Sequence, residues 1–574
     1  MTNKTYIKNT ALLFSAMAIT KIVGAVFKIP LANVLGGTGM GYFSTAYGLY
    51  SPIFALTAAG VPTVMMRLTA KNLALGREQN AVRTKKTALL LFTLVGFAGM
   101  LLILLLSGFF ATNIACSPQS SAALKAISPA VLFCCIGSVI RGYYEGQSNV
   151  MPTAAANVTE AVSRAIIGLA LSYGVIGYAK NCYDNGTAFL GYNYNTYDEV
   201  YEAALPWAAA AAILAVTLSE LAGLISLIIH DRRKGKRRIS QDTVTVDRIK
   251  SISSSIVKEL IPIAAFALVM NCFSFIDLLT VTRTLNASVE LAPQFFQRAF
   301  PEVFARGISA DELANFMYGS YTGIAMSLFM LIPSFAGMTE KTAIPEIATA
   351  WEKKDISALT TKTESLIKAA AVIGLPACLG AAAMAEPILS LLYSDRAAET
   401  AVCMNSFVVL CMGGFDMIIT SAFTGVFQAI GKGHIPLLIM IAVIGAKAVL
   451  NPMLLSIPEI NITGAALSTV LCYLIASVLC IIAAKKFIPK TKIIRSLIKP
   501  LLCSLVCAVT AKAVYSALKS IEQPLIVTLI PILAGGIIYI LLLIFTSSFR
   551  TSPIIKRQKQ KKITKGLAKF QKIG

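Results

Sequence analysis

Lys21 and Lys28 lie seven residues apart in AITKIVGAVFKIPLANVLGG, a run otherwise suited to the interior of a bilayer. At 3.6 residues per turn the two share one face of a helix. A charge at the centre of a bilayer costs about 2.5 to 3.5 kcal/mol on insertion scales, so each needs a cavity, a partner or access to the interface. If the helix begins near Lys8, Lys21 lies about 20 Å along it and Lys28 about 30 Å. Lys28 can then reach the outer head groups, whereas Lys21 is too deep to do so and calls for a polar cavity or an ion pair.

Other apolar runs carry further charges. Glu160 and Arg164 are spaced i,i+4 and can satisfy each other. Arg141, beside Glu145, falls at a helix end and is a candidate for the inner mouth of a cavity. Asp277 sits deep in its run, where it could take up a proton or Na⁺ or pair with Lys21; Asp416 and Lys447 stand at comparable depth on consecutive runs and are expected to pair with each other. The set Lys21, Lys28 and Arg164 against Glu160 leaves an excess of cations, and phosphate oxygens are the ligand chemistry that such donors bind most strongly. The expected binding residues are therefore Lys21, Lys28, Arg164, Glu160 and Arg141, with Asp277, Asp416 and Lys447 in ion coupling or in pairing.

Covalent chemistry has no comparable support. GVFQAIGKGH, from Gly425, has a Gly-Lys pair but Gly433 where a phosphate-binding loop needs Ser or Thr. Glu302, Asp311 and Glu312 read as solvated loop acids, and the 12 cysteines and 2 histidines show no metal-ligand spacing. No catalytic residue, metal or cofactor is expected. The candidate drive is an Na⁺ or H⁺ gradient or the membrane potential.

The elements that must position these charges follow from composition. Of 574 residues, 56% are hydrophobic and 14% charged, against about 25% charged in soluble domains. Apolar runs long enough to cross a core of about 30 Å number fourteen between residues 10 and 546, among them 10–34, 42–66, 257–281, 314–337 and 401–428. That makes an all-α polytopic membrane protein of about fourteen transmembrane helices. The formal charge of +23 would suggest nucleic acid in a soluble chain; here the basic residues gather at Lys4 and Lys8, at Lys71 to Lys86, in HDRRKGKRR, around Lys485 to Arg495 and in the tail. These alternate with acidic loops. The positive-inside rule puts both termini in the cytoplasm, with the basic linker and tail against anionic lipids rather than nucleic acid.

Repetition divides the chain. Pro152 and Pro436 each open a run and lie 284 residues apart, and Pro62 and Pro345 lie 283 apart. The expected organisation is a six-helix lobe over 1–230, a basic linker over 231–256, a second six-helix lobe over 257–486, helices 13 and 14 over 487–546 and a basic tail over 547–574. Two such lobes around a midplane cavity suit alternating access.

Five stretches carry a family resemblance: FKIPLANVLGGTGMGYFSTAYGLYSPIFALTAAGVP, RGYYEGQSNVMPTAAANVTEAVSR, FIDLLTVTRTL, GVFQAIGKGHIP and LNPMLLSIPEINITGAALST. Together they resemble the stage V sporulation protein B group of the multidrug/oligosaccharidyl-lipid/polysaccharide (MOP) exporter superfamily, which is related to the lipid II flippases. The resemblance implies two MATE-like lobes and a last helix pair bordering a groove for a polyprenyl tail. It also implies export of a lipid-linked cell-wall precursor across a bacterial cell membrane by a protein that is not an enzyme. A lipid-linked glycan is then the substrate, cell-wall synthesis enzymes are candidate partners, and a monomer is expected. Other readings remain open at this level: a flippase for another lipid-linked polysaccharide unit, a cation-coupled multidrug exporter, and an outer-face glycosyltransferase or ligase.

Overall fold

In a computed structural model the chain is described over residues 3–233, 247–489, 491 and 493–546. Residues 234–246 of the expected linker and the whole expected tail lie outside the described residues. Among the described residues helices and turns make up the chain, with one isolated antiparallel bridge, Phe189 to Tyr192, and no strand. In chain order the helices are α1 (Asn3–Phe54), α2 (Val61–Ala74), α3 (Glu78–Phe109), α4 (Ser121–Gly146), α5 (Met151–Asp184), α6 (Tyr197–Arg233) and α7 (Ile249–Leu291). Short pieces follow, α8 (Pro293–Ala299) and α9 (Pro301–Ala305), then α10 (Ala310–Ser320), α11 (Met326–Phe329), α12 (Leu331–Ala336), α13 (Met338–Glu352), α14 (Ile356–Ala383) and α15 (Ala385–Leu392). The last are α16 (Ala397–Ala429), α17 (His434–Leu455), α18 (Thr463–Lys485), α19 (Ile493–Leu518) and α20 (Pro524–Phe545).

Thirteen helical segments among the described residues are long and apolar enough to cross a membrane. The first, Ala18–Ala74, runs for 57 residues, or about 85 Å at 1.5 Å per residue, and accounts for two of the fourteen expected runs. The loop expected near residues 35–41 is instead helix with a kink. Gly36 sits at φ 60° and ψ −168°, a combination open essentially to glycine.

Two compact units divide the contacts. One comprises Met1–Leu328, Asp395–Cys403 and Ile444–Ala465, and the other Phe329–Ser394, Met404–Val443 and Ala466–Gly574. In the first unit α1 meets α10 through Gly37 and Gly41, spaced as the small residues that let membrane helices approach closely. A Cβ at Gly319 would lie 1.9 Å from the Gly37 carbonyl and 2.3 Å from the Gly41 amide, so the two backbones touch. In the second unit Ile367, Phe423, Phe427 and Cys480, on α14, α16 and α18, form a buried cluster, and the Tyr539 hydroxyl of α20 donates to the Val372 carbonyl of α14 at 2.8 Å.

The kink leaves backbone groups that an apolar medium cannot satisfy. Side chains of the first unit take that role. Arg396 donates to the Asn33 carbonyl from Nη2 at 2.6 Å and Nε at 3.0 Å, and the Tyr201 hydroxyl donates to the Val34 carbonyl at 2.8 Å. The Gly37 amide donates to Glu399 Oε1 at 3.3 Å, and Arg306 donates to Glu399 Oε2 at 2.9 Å. Glu399 is 1% exposed, so its charge depends on these donors. Replacing Glu399 with alanine is expected to cost about 3 to 5 kcal/mol, the usual penalty for breaking a buried pair. The thermal unfolding midpoint in detergent reads this, with Glu399→Gln falling between; an unchanged midpoint for Glu399→Ala would contradict the clamp.

Candidate functional site

The second half of α1 carries Phe43, Tyr47, Tyr50 and Phe54 at spacings of four, three and four residues, and so on one face. Their rings follow one another at centroid distances of 6.1, 5.8 and 5.7 Å. Tyr47, Tyr50, Ser51 and Phe54 form one wall of a cavity of about 290 Å³ within the first unit. The other walls are Cys134, Ser138 and Arg141 of α4, Arg164 of α5, Glu220 of α6 and Asn271 of α7.

Two ion pairs organise this space. Arg141 pairs with Glu160, and Arg164 Nη2 lies 3.0 Å from Glu220 Oε1 while its Nε donates to Ser219 at 3.2 Å. The local Glu160–Arg164 pairing expected from i,i+4 spacing therefore gives way to partners on neighbouring helices. Gly223 explains why Glu160 can turn toward α4: a Cβ there would lie 2.0 Å from Glu160 Oε1, so only glycine leaves room for that carboxylate. Between α1 and α7 the Ser51 hydroxyl donates to Asn271 Oδ1 at 2.5 Å. Guanidinium forks and hydroxyls on an aromatic wall can bind phosphate oxygens and a sugar face.

Lys21 and Lys28 are exposed and do not line this cavity. Lys28 donates to Ser327 of α11 at 3.2 Å, and among the described residues Lys21 makes no ion pair. The expectation that Asp277 could pair with Lys21 is corrected, because Asp277 faces Lys447. Lys447 is 0% exposed; its Nζ lies 2.7 Å from Asp277 Oδ2, 3.2 Å from the Phe273 carbonyl and 3.8 Å from the centre of the Phe273 ring. Asn451 donates to Asp277 Oδ1 at 2.7 Å. The expected Asp416–Lys447 pair is corrected by the same contact: Asp416 accepts from Ser477 at 2.9 Å in the second unit. Among the loop acids Glu302 and Asp311 are exposed and Glu312 is half-buried.

Sequence reasoning missed Glu220, although it is the one acid between Glu202 and Asp231 in an apolar run. It also missed the aromatic face of α1, whose spacing is legible, and the Asn451 amide, whose only signal is polarity within a span.

Residues 6–180 match the family described as polysaccharide biosynthesis protein. Stage V sporulation protein B of Bacillus subtilis (strain 168) is 24% identical over 497 residues, covering 85% of each chain. The lipid II flippase MurJ of the same organism is 22% identical over 489 residues, covering 82% of this chain and 81% of its own. A solved lipid II flippase MurJ, in an inward closed conformation, matches with a TM-score of 0.67 at 13% identity, over 94% of this chain and 99% of that one. The chain is a homologue of these proteins with the MOP-transporter fold. An inward-facing MATE-family multidrug transporter of that superfamily shares the MOP fold at a TM-score of 0.60 and 13% identity, over 83% of this chain and 98% of that one. The activities named among these relatives are transport and lipid flipping, and the thirteen apolar helical segments among the described residues make this homologue a multi-pass membrane protein.

Lys447→Met is expected to leave Asp277 uncompensated and to cost about 3 to 5 kcal/mol, whereas Asp277→Asn with Lys447→Met removes both charges and should recover most of the loss. Thermal midpoints of the purified single and double variants check this, and equal losses in the two would contradict it.

Proposed function

We propose that this protein is a flippase that moves a polyprenyl-pyrophosphate-linked cell-wall precursor, of the lipid II type, from the cytoplasmic to the outer leaflet. The observation that carries the reading is the cavity in which Arg141 and Arg164 stand beside an aromatic wall. Glu160 and Glu220 balance Arg141 and Arg164 in ion pairs, and the excess of cations comes from Lys21 and Lys28, which lie outside the cavity and make no ion pair among the described residues. That excess suits an anionic pyrophosphate, whose oxygens compete with the carboxylates for the same guanidinium donors. The sugar-bearing head then occupies the cavity and the polyprenyl chain stays in lipid along the last two helices, α19 and α20, within residues 487–546.

Alternating access is assigned to the two six-helix lobes, 1–230 and 257–486, with both termini in the cytoplasm and a single chain as the working unit. An Na⁺ or H⁺ gradient or the membrane potential drives the cycle. Asp416, which accepts from the Ser477 hydroxyl and forms no ion pair among the described residues, is assigned to ion coupling, and Asp277 is committed to Lys447. Docking of cell-wall synthesis enzymes belongs to the same proposal. A second reading, a flippase for another lipid-linked polysaccharide unit, is favoured by the polysaccharide biosynthesis match over residues 6–180.

Outward exposure of lipid II in cells depleted of their own flippase tests the proposal. Lys21→Ala with Lys28→Ala, and Arg164→Ala alone, are each expected to lower exposure at least tenfold at unchanged protein level, about 1.4 kcal/mol or more of lost stabilisation. Undiminished flipping in all of them would overturn the assignment. Failure of the wild type to complement, with rescue of a strain lacking a different glycan flippase, would select the second reading.

A further inference from the structure

The segment from Gln79 to Lys86 holds three basic residues whose surroundings differ. Lys85 is committed internally: its Nζ lies 2.6 Å from Asp231 Oδ1 and 4.8 Å from the centre of the Tyr143 ring. Arg83 and Lys86 form no ion pair among the described residues. Both line a groove of about 600 Å³ within the first unit, together with Gln79, Thr87, Leu90 and, from the start of α7, Ile249.

Residues 79, 83, 86 and 90 fall at helical spacing, so one face of α3 presents an amide, a guanidinium and an ammonium and then turns apolar. The same face continues through Leu94, Phe97, Leu101 and Leu105, and Leu90, Leu94 and Leu105 are 63%, 61% and 81% exposed. Such a strip faces hydrocarbon, which puts the change from Lys86 to Leu90 at the level where a bilayer passes from head group to acyl chain. Two cations at that level, open to a groove, match the phosphate of a lipid whose chain lies along the strip below.

We infer that the groove between α3 and α7 is a binding site for a resident anionic phospholipid, with its phosphate between Arg83 and Lys86 and an acyl chain on Leu90, Leu94 and Phe97. The site is separate from the Arg141 and Arg164 cavity and shares none of its residues. Its occupant anchors α3 against the start of α7.

Native mass spectrometry of the full-length protein in mild detergent, titrated with phosphatidylglycerol and phosphatidylcholine of matched chains, tests the assignment. At least a tenfold preference for phosphatidylglycerol is expected in the wild type. Arg83→Gln with Lys86→Gln should abolish it, and Lys71→Gln with Arg77→Gln, outside the groove, should not. If the Arg83 and Lys86 double variant does not fold, Lys86→Ala alone is expected to lower the preference severalfold. Absence of a preference in the wild type, or an undiminished one in the groove variants, would overturn the assignment. So would displacement of phosphatidylglycerol by equimolar undecaprenyl pyrophosphate, which would make the groove a substrate site instead.

Discussion

Hydrocarbon offers no hydrogen bonds, so every buried charge or broken backbone group within a span must find a partner. That constraint decides the interior of the first unit. Glu160 pairs with Arg141, Arg164 with Glu220 and Asp277 with Lys447. At the Gly36 kink, Arg396, Tyr201 and Glu399 bond the carbonyls and the amide that the bend releases. Arg141–Glu160 and Arg164–Glu220 tie consecutive helices, α4 to α5 and α5 to α6, Asp277–Lys447 ties α7 to α17, and Gly223 leaves the room that the Glu160 carboxylate takes. The polar cavity is a product of the same rule: its walls are the side chains that satisfy one another across α4, α5 and α6.

The class of fold was legible because it rests on length and hydropathy, which the sequence carries directly. The spans near 257–281, 314–337 and 401–428 correspond to helices Ile249–Leu291, Ala310–Ala336 and Ala397–Ala429, each of which extends beyond its apolar run because polar end turns can remain helical outside the hydrocarbon. The kink was legible only as a break. The first apolar run ends at 34 and the second begins at 42, whereas a single glycine at φ 60°, Gly36, suffices to turn the chain while helix continues on both sides.

Pairing was far less legible. Spacing along one helix makes Glu160 and Arg164 neighbours, but each guanidinium and carboxylate is drawn to whichever partner offers the better geometry, and tertiary contacts supplied it. Asp277 and Lys447 lie 170 positions apart, a separation that no local pattern reports. The two lysines on α1 were the most visible charges in the sequence, yet the cavity is organised by arginines that were harder to rank. Lysine is a compact charge on a flexible stem and can stay at the surface of a helix, while a planar guanidinium forms a fixed fork that interhelical carboxylates and phosphates both fit.

On this account the carboxylates that hold Arg141 and Arg164 also tune the site: they keep the guanidiniums in place and leave donors that a pyrophosphate can recruit. The central claim is that the head of a lipid-linked pyrophosphate enters this cavity. A photoreactive amino acid placed at Asn271, which lines the cavity together with both arginines, tests it most directly. The account predicts a crosslink to a polyprenyl-pyrophosphate-linked glycan that excess polyprenyl pyrophosphate competes away and a lipophilic cation does not. A crosslink competed by the lipophilic cation alone, or none to the pyrophosphate lipid in a folded protein, would contradict it.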